Sequence, residues 1–155
     1  MTGKFDYTKF RLRTFMDQLA RIGELEVHEE PIEMTDLTAL IENSPKAVLF
    51  KDAGPQHYEI FAGFIGNRRR LAAAFGLDDP KKVLPEFMRR LQNPQKVAEV
   101  PSGEAPVHQV VLKGGDIDLT KLPFYLQHHL DGAPYISAAM DYTIDPADGK
   151  PNVGC

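Results

Sequence analysis

The sequence predicts an α+β fold in two unequal parts, a mixed α/β domain over residues 1–105 and the first strands of a second β domain over residues 106–155. In the first part, apolar residues recur at helical spacing in three stretches, and short apolar runs lie between them. The stretch VPSGEAP is rich in proline, glycine and small residues, as linkers are. After it the pattern changes to the alternation typical of strands, which places the boundary near residue 105.

The composition indicates an ordinary globular chain. Hydrophobic residues make up 43% and charged residues 26% of the 155 residues, which is typical of soluble globular proteins and sufficient for one core. The net charge of −4 argues against a nucleic-acid partner, because neutralising phosphates needs a clustered basic surface. The only basic run is Arg68–Arg70, which we interpret as the solvated face of a helix rather than as a phosphate site.

The sequence also predicts the cellular location. No stretch approaches the roughly 20 apolar residues that span a bilayer. The first ten residues, MTGKFDYTKF, contain no apolar core of a signal peptide. The single cysteine, Cys155, cannot form an internal disulfide bond, which fits a reducing compartment. We therefore expect a cytoplasmic protein without a membrane partner.

The first part opens with a helix, a strand and a short helix. Residues 9–22 carry one apolar stripe, and Gly23 can take the left-handed conformation that ends a helix. The segment Glu24–His28 alternates as a half-buried strand does. Thr35 can cap a short helix that extends to Ile41.

Two strands and a helix follow. The apolar runs Ala47–Phe50 and Ile60–Ile65 contain the β-branched and aromatic residues that strands favour. Gly54-Pro55 between them marks a turn. Residues 68–75 then predict a helix that ends at Gly76.

The last helix of the first part begins at Pro80, which suits a first helical position behind Asp79. It ends at Asn93-Pro94, because proline cannot continue a helix. Its apolar residues recur at helical spacing, and we expect them to face inward: Val83, Leu84, Phe87, Met88 and Leu91.

The second part is predicted as strands and turns. His108–Leu112 predicts a strand, and Gly114-Gly115 predicts a turn. Asp145–Gly149 predicts a hairpin turn before the final Asn-Val-Gly-Cys. The best strand in the chain is Pro134–Ile144, where alternate residues face one way: Tyr135, Ser137, Ala139, Asp141 and Thr143.

Six short motifs occur along the chain in a fixed order. The first three are FMDQLARIGELEV, AVLFKDAG and GNRRRLAAAFG, and the last three are DIDLTKLP, DGAPYIS and NVGC. In order and spacing they resemble motifs of the UbiD family, decarboxylases that use prenylated flavin mononucleotide (FMN). Each of the first three motifs alone is found in many folds, so the resemblance depends on their shared order.

The resemblance implies an architecture. The second part would begin a split β-barrel that binds prenylated FMN, and a C-terminal α/β domain outside these 155 residues would form a homo-oligomer. The arginine and two glutamates of catalysis, and the histidine and glutamate that bind metal in the family, would correspond to positions beyond Cys155. No catalytic residue is therefore assigned within the chain, and the chain alone is expected to be inactive.

The resemblance also implies a cofactor site at residues 152–155. The side-chain oxygen of Asn152 would bind a divalent metal, Mn²⁺ or Mg²⁺, that also holds the flavin phosphate, and K⁺ is a further candidate ion. Hard cations of this kind prefer oxygen ligands. Val153, Gly154 and Cys155 would line the cofactor through their backbone, with Cys155 at a position where the family has isoleucine or methionine. From the residues alone, Asn152 is also compatible with a turn residue after Pro151.

Two functions remain open at this stage. The first is the N-terminal part of a reversible, non-oxidative decarboxylase that acts on an aromatic or α,β-unsaturated carboxylic acid. The second is a non-catalytic folded subunit, or a truncated module, that only binds partner chains. The first depends on the resemblance, and the second requires only a folded domain.

Overall fold

A three-stranded mixed sheet organises the first part of the chain. The computed structural model describes residues 11–94, 99–136 and 139–154. The sheet has the order β1-β2-β3, with β1 parallel and β3 antiparallel to the central strand. The parallel pair needs a crossover connection, which contains helix α2. The bounds are β1 Leu25–His28, α2 Leu37–Asn43, β2 Ala47–Ala53 and β3 Tyr58–Ala62.

The first part contains three further helices in the described residues: α1 Leu12–Arg21, α3 Arg68–Ala74 and α4 Val83–Gln92. Gly23 and Gly76 follow α1 and α3 with φ of +74° and +73°, so the predicted helix ends are confirmed. A 3₁₀ turn, Pro80–Lys82, leads into α4, and the Asp79 carboxylate accepts a hydrogen bond from the Lys81 amide at 2.9 Å. Local sequence signals thus fix where these helices begin and end.

The central strand is covered on both faces. Val48 and Phe50 pack with Leu37 of α2, and Ala47 packs on the opposite side with Leu19 of α1 and Ala73 of α3. A strand covered in this way has a continuous apolar run rather than an alternating one, as its sequence shows. The core of the first part therefore lies around β2.

The turn between β2 and β3 depends on a glycine. Gly54 has a φ of +68°, a conformation that residues with a side chain rarely adopt. A Cβ atom at this position would also lie 2.8 Å from Cγ of Met34. The predicted turn at Gly54-Pro55 is therefore confirmed, and the space around it leaves room for glycine only.

A buried ion pair joins the sheet to α3. The side chains of Arg70 and Glu24 are 5% and 12% exposed, and Arg70 Nη1 donates to Glu24 Oε2 at 3.2 Å and to the Pro45 carbonyl at 2.8 Å. Asn67 Nδ2 donates to the same carboxylate at 3.1 Å, and Arg69 Nη1 donates to its other oxygen at 3.0 Å. The hydrogen bond from Asn67 leads the causes that hold the pKa of Glu24 below its usual range.

The prediction of a solvated basic face is wrong for Arg70. It holds for Arg68, which is exposed, whereas Arg70 is 4% exposed because its helix packs that side against the start of β1. A charged residue is almost never buried unless it is paired, and the partner lies 46 residues away in sequence. A run of three arginines carries no information about that distant carboxylate.

Three other predictions for the first part need correction. Thr35 lies inside a 3₁₀ turn, Met34–Asp36, and does not cap α2. Strand β3 ends at Ala62 and not at residue 65, because Gly63 turns the chain with a φ of +66°. The apolar residues of α4 do not all face inward, since four of them are exposed in the described part of the chain: Leu84, Phe87, Met88 and Leu91.

The second part contains less strand than the alternation predicts. Residues 106–108 form a 3₁₀ turn, and residues 109–113 are irregular, so the predicted strand His108–Leu112 is wrong. Of the predicted long strand, only residues 141–144 are a strand, Tyr135 forms an isolated bridge, and residues 137–138 lie outside the described residues. Alternation shows which face a strand could bury, but a strand forms only where another segment pairs with it. The split barrel and the boundary near residue 105 stay predictions.

Removing Arg70 should destabilise the fold strongly. In Arg70→Ala, Glu24 loses a buried cationic partner, and breaking such a pair costs about 3 kcal/mol. Urea denaturation should show this loss in the free energy of unfolding. The control Arg69→Ala removes the 61%-exposed partner of the same carboxylate and should cost less than about 1 kcal/mol. Equal losses in the two variants would contradict the assigned role of burial.

The same network predicts a dependence on pH. Because the pKa of Glu24 is lower in the folded state than in the unfolded state, its contribution is present above the unfolded value. It is lost as the pH falls through the folded value. Acid denaturation should therefore be shallower for Glu24→Gln than for the unmodified chain, and unchanged steepness would contradict the linkage.

Candidate cofactor-binding hairpin

The predicted site lies on a two-stranded antiparallel hairpin. Strand β4 is Asp141–Ile144 and strand β5 is Pro151–Gly154, with Thr143 opposite Asn152. The turn between them is closed by its own hydrogen bonds: Asp145 Oδ1 accepts from the Ala147 amide at 2.8 Å, and the Gly149 amide donates to the Asp145 carbonyl at 2.8 Å. The predicted hairpin turn is confirmed, and its local hydrogen bonds hold the register of Asn152.

The hairpin has one polar face and one apolar face. Directly opposite residues of an antiparallel pair lie on the same face, and the side chains alternate along each strand. Asn152 therefore shares a face with Thr143, Asp141 and Gly154. The other face carries Tyr142, Ile144, Pro151 and Val153. Three oxygen-bearing side chains thus lie together on the face of Asn152.

The side chain of Asn152 is available to a ligand. It is exposed and makes no hydrogen bond to the described residues. A Cβ atom on Gly154 would meet no atom within 4 Å, so the space above that end of the face is open as well. An uncommitted amide oxygen beside open space is the geometry that a cation would require of this strand.

The structure places three of the four predicted cofactor residues. Asn152, Val153 and Gly154 all lie on β5, whereas Cys155 lies outside the described residues. The Val153 side chain is 51% exposed on the face opposite Asn152, so only its backbone can face a ligand held there. Their roles toward a cofactor stay predictions, and the hairpin shows only how they are arranged.

Sequence reasoning did not single out Asp141 and Thr143 as site residues. The alternation of Pro134–Ile144 had placed them on one face of a strand, but their relation to Asn152 comes from the cross-strand register. A turn signal at Asp145–Gly149 together with that alternation would have been enough to pair Thr143 with Asn152. Within the described residues, no group of three histidine, cysteine, aspartate or glutamate side chains could hold a metal.

The chain that approaches the hairpin is held to the first part at two points. Tyr125 packs against the core around Leu37 and pairs with Tyr135 as an isolated bridge. His128 Nε2 lies 2.9 Å from Glu42 Oε1 of α2, and this hydrogen bond raises the pKa of His128. His128 is therefore engaged with α2.

A cleft of about 520 Å³ lies between the two parts. One wall is β3 and α2, and the other is the segment from residue 123 to residue 136. Its polar groups include Thr38, Glu42, Gln127 and His128. No helix in the described ranges is both long enough and apolar enough to cross a membrane.

Two sequence families match the chain. Residues 16–91 match the 3-octaprenyl-4-hydroxybenzoate carboxy-lyase N-terminal domain, UbiD_N. Residues 98–155 match the 3-octaprenyl-4-hydroxybenzoate carboxy-lyase Rift-related domain, UbiD. The first match ends at residue 91 and the second begins at residue 98, and together they span most of the chain.

Solved structures of two kinds of enzyme are similar to this chain. An evolved dimeric form of the UbiD-class enzyme HmfF from Pelotomaculum thermopropionicum, in complex with prenylated FMN, is 27% identical with a TM-score of 0.80. The vanillic acid decarboxylase of Sedimentibacter hydroxybenzoicus, in an open form, is 28% identical with a TM-score of 0.76. Each match covers 92% of this chain and 34% of the other, so the chain spans about a third of these proteins.

The contact between His128 and Glu42 should be measurable as a pKa. In Glu42→Gln the imidazole loses the carboxylate that stabilises its charged form, so the pKa of His128 should fall. Titration of the imidazole signals by NMR measures this value. Glu33→Gln, which changes an exposed carboxylate outside the contact, should leave the titration unchanged. Superimposable curves for Glu42→Gln and the unmodified chain would show that the second part is not held to α2 here.

The pH dependence of the contact between His128 and Glu42 has the opposite sign to that of the network around Glu24. Because the pKa of His128 is raised in the folded state, the contact stabilises that state below the unfolded pKa. Its contribution is lost as the pH rises through the folded value. The attachment of the second part to α2 should therefore weaken toward alkaline pH, and amide exchange around residue 128 should quicken there beyond its ordinary base-catalysed increase.

Proposed function

Because this chain belongs to the UbiD family, we propose that it is the N-terminal part of a decarboxylase that uses prenylated FMN and a divalent metal. The proposed substrate is an aromatic or α,β-unsaturated carboxylic acid, and the reaction is reversible and non-oxidative. Support comes from the similar enzymes, one in complex with prenylated FMN and one a vanillic acid decarboxylase.

The polar face of the β4–β5 hairpin carries the proposal. Asn152 offers an amide oxygen without a partner in the described residues, and Thr143 offers a hydroxyl directly opposite. These are hard oxygen donors, which suit Mn²⁺ or Mg²⁺, with K⁺ as a further candidate. The donor set therefore fits the proposed ion, with the remaining ligands to come from outside the described residues.

Each residue of this face has a distinct proposed task. Asn152 binds the cation through a neutral oxygen, which adds no negative charge beside a phosphate. The carboxylate of Asp141 does add a negative charge. This charge strengthens the attraction for a cation and repels a phosphate placed directly above it. Gly154 leaves open space at its end of the face, so the backbone of residues 153–155 can approach the cofactor closely.

The bound cofactor would supply the chemistry that side chains lack. When bound, it would supply a sink for the electron density left by the departing CO₂, and the protein would orient the substrate and exclude water. The proposed role of this chain is to bind and orient the cofactor. The groups that hold the carboxylate and move the proton are proposed to lie outside these 155 residues, together with the domain that forms a homo-oligomer. The proposed location is the cytoplasm.

Asn152→Ala in the full-length protein should weaken the retention of metal and flavin together. Losing a residue that only supports a metal ligand typically lowers metal affinity roughly 10–100-fold. Removing Asn152, a direct ligand in this proposal, should lower the affinity at least as much. Metal content measured by mass spectrometry and flavin absorbance of the purified protein give both quantities. Lys150→Ala, in the turn of the same hairpin, is the matched control and should retain both.

A second variant separates the effect of an oxygen ligand at residue 152 from the effect of a negative charge there. Asn152→Asp keeps an oxygen donor but adds a negative charge beside the phosphate, so metal should be retained while flavin affinity falls. Full flavin and metal in Asn152→Ala would show that this residue only pairs with β4 as part of strand β5. Absence of flavin from the unmodified full-length protein, reconstituted with prenylated FMN and Mn²⁺, would favour the non-catalytic module.

A further inference from the structure

A second surface, remote in sequence from the hairpin, lies between α3 and α4. It is a groove of about 720 Å³ lined by Leu71 of α3, by Phe75 directly after that helix, and by Leu84 and Phe87 of α4. Phe75 and Phe87 meet edge to face with ring centroids 6.4 Å apart, and Arg90 lies over the Phe75 ring at 4.8 Å. The groove is therefore built on a fixed contact between the two helices.

The apolar stripe of α4 continues beyond this groove. Leu84, Phe87, Met88 and Leu91 are spaced i, i+3, i+4 and i+7, so they form one face over two helical turns. Their exposed fractions are 68%, 45%, 46% and 59%. A contiguous apolar face of this kind typically marks an interaction site, and its spacing is that of a seam between helices.

The groove also has an uncompensated positive charge. Its two charged lining residues, Arg68 and Lys81, make no side-chain hydrogen bond or ion pair in the described part of the chain. Two of the three carboxylates nearest to Lys81 in sequence are already engaged: Asp79 accepts from the Lys81 amide, and Glu86 accepts from Arg89 and Arg90 at 2.7 and 2.8 Å. The third, Asp78, is exposed and does not line the groove. Four other arginines nearby, Arg69, Arg70, Arg89 and Arg90, are all paired.

We propose that this groove and the stripe of α4 form a docking surface for an amphipathic helix whose apolar face is flanked by carboxylates. The apolar residues of that helix fill the groove and cover the stripe, and its carboxylates pair with Arg68 and Lys81. The site is separate from the cofactor-binding hairpin, and the inference does not depend on the proposed activity.

A second copy of this surface is a poor occupant. The α4 helix of another copy would bring Arg89 and Arg90 toward Arg68 and Lys81, and like charges placed together oppose association. The one carboxylate of α4, Glu86, has its pKa lowered to about 2 by hydrogen bonds from Arg89 and then Arg90, so its charge is already compensated. The occupant is therefore a helix of different, acidic character.

Two labelled peptides test the chemistry of the occupant. Both have 14 residues with leucine at the positions of a heptad seam and alanine elsewhere, and one carries glutamate and the other lysine at the flanking positions. Fluorescence anisotropy should show that the glutamate peptide binds the 155-residue chain about tenfold more tightly than the lysine peptide, as two exposed ion pairs would give. Far-UV circular dichroism confirms that each variant below remains folded.

Charge reversal makes the test specific. Arg68→Glu combined with Lys81→Glu should reverse the preference, whereas Lys82→Glu, a neighbouring lysine that does not line the groove, should keep it. Leu84→Ser should weaken the binding of both peptides, because it removes an apolar residue shared by the groove and the stripe. Equal binding of the two peptides, or a preference that persists in the double variant, overturns the proposal. Self-association of the unmodified chain that Leu84→Ser abolishes in sedimentation would assign the surface to a second copy instead.

Discussion

The buried pair between Glu24 and Arg70 is the interaction on which the first part of the structure depends. Removing two charges from water is costly unless their donors and acceptors are hydrogen-bonded. Here Asn67 donates to the Glu24 carboxylate, and the Pro45 carbonyl accepts from Arg70. The partners come from separate segments, so the network fixes the start of β1, the start of α3 and the loop before β2 at one point. The small residues beside it, such as Ala47, can then pack closely around the central strand.

The two parts of the chain are stabilised in different ways. The first part has a core with β2 covered on both faces, whereas the second uses aspartate side chains that accept hydrogen bonds from nearby backbone amides. Four such aspartates occur in its described residues: Asp118, Asp131, Asp145 and Asp148. Most of its large apolar side chains are exposed. The arrangement around Asn152 is therefore set locally, and Tyr125 and His128 connect the segment before it to the first part.

Sequence reasoning succeeded where the cause of a structure is local. Helix ends at glycine and the hairpin turn depend on a few neighbouring residues, and these predictions are confirmed. It failed where the cause is distant: Arg70 is buried by a carboxylate 46 positions away, and alternation could not show whether His108–Leu112 finds a pairing partner. The apolar stripe of α4 combines a success and a failure of sequence reasoning. Its spacing predicts an apolar face, but it does not predict what covers that face. For the candidate site, the resemblance predicted Asn152, whereas placing Thr143 and Asp141 beside it required the cross-strand register.

The locality of the hairpin has a consequence for the order of folding. Its cross-strand pairs join residues at most 13 positions apart, and hairpins of this kind form in about 1–10 μs. The β1–β2 pair requires the crossover through α2, so it closes a longer loop at a higher entropic cost. An isolated two-stranded hairpin is only marginally stable, so it opens and closes rapidly. A ligand on its polar face would therefore select an alignment that the chain already visits rather than create a new one.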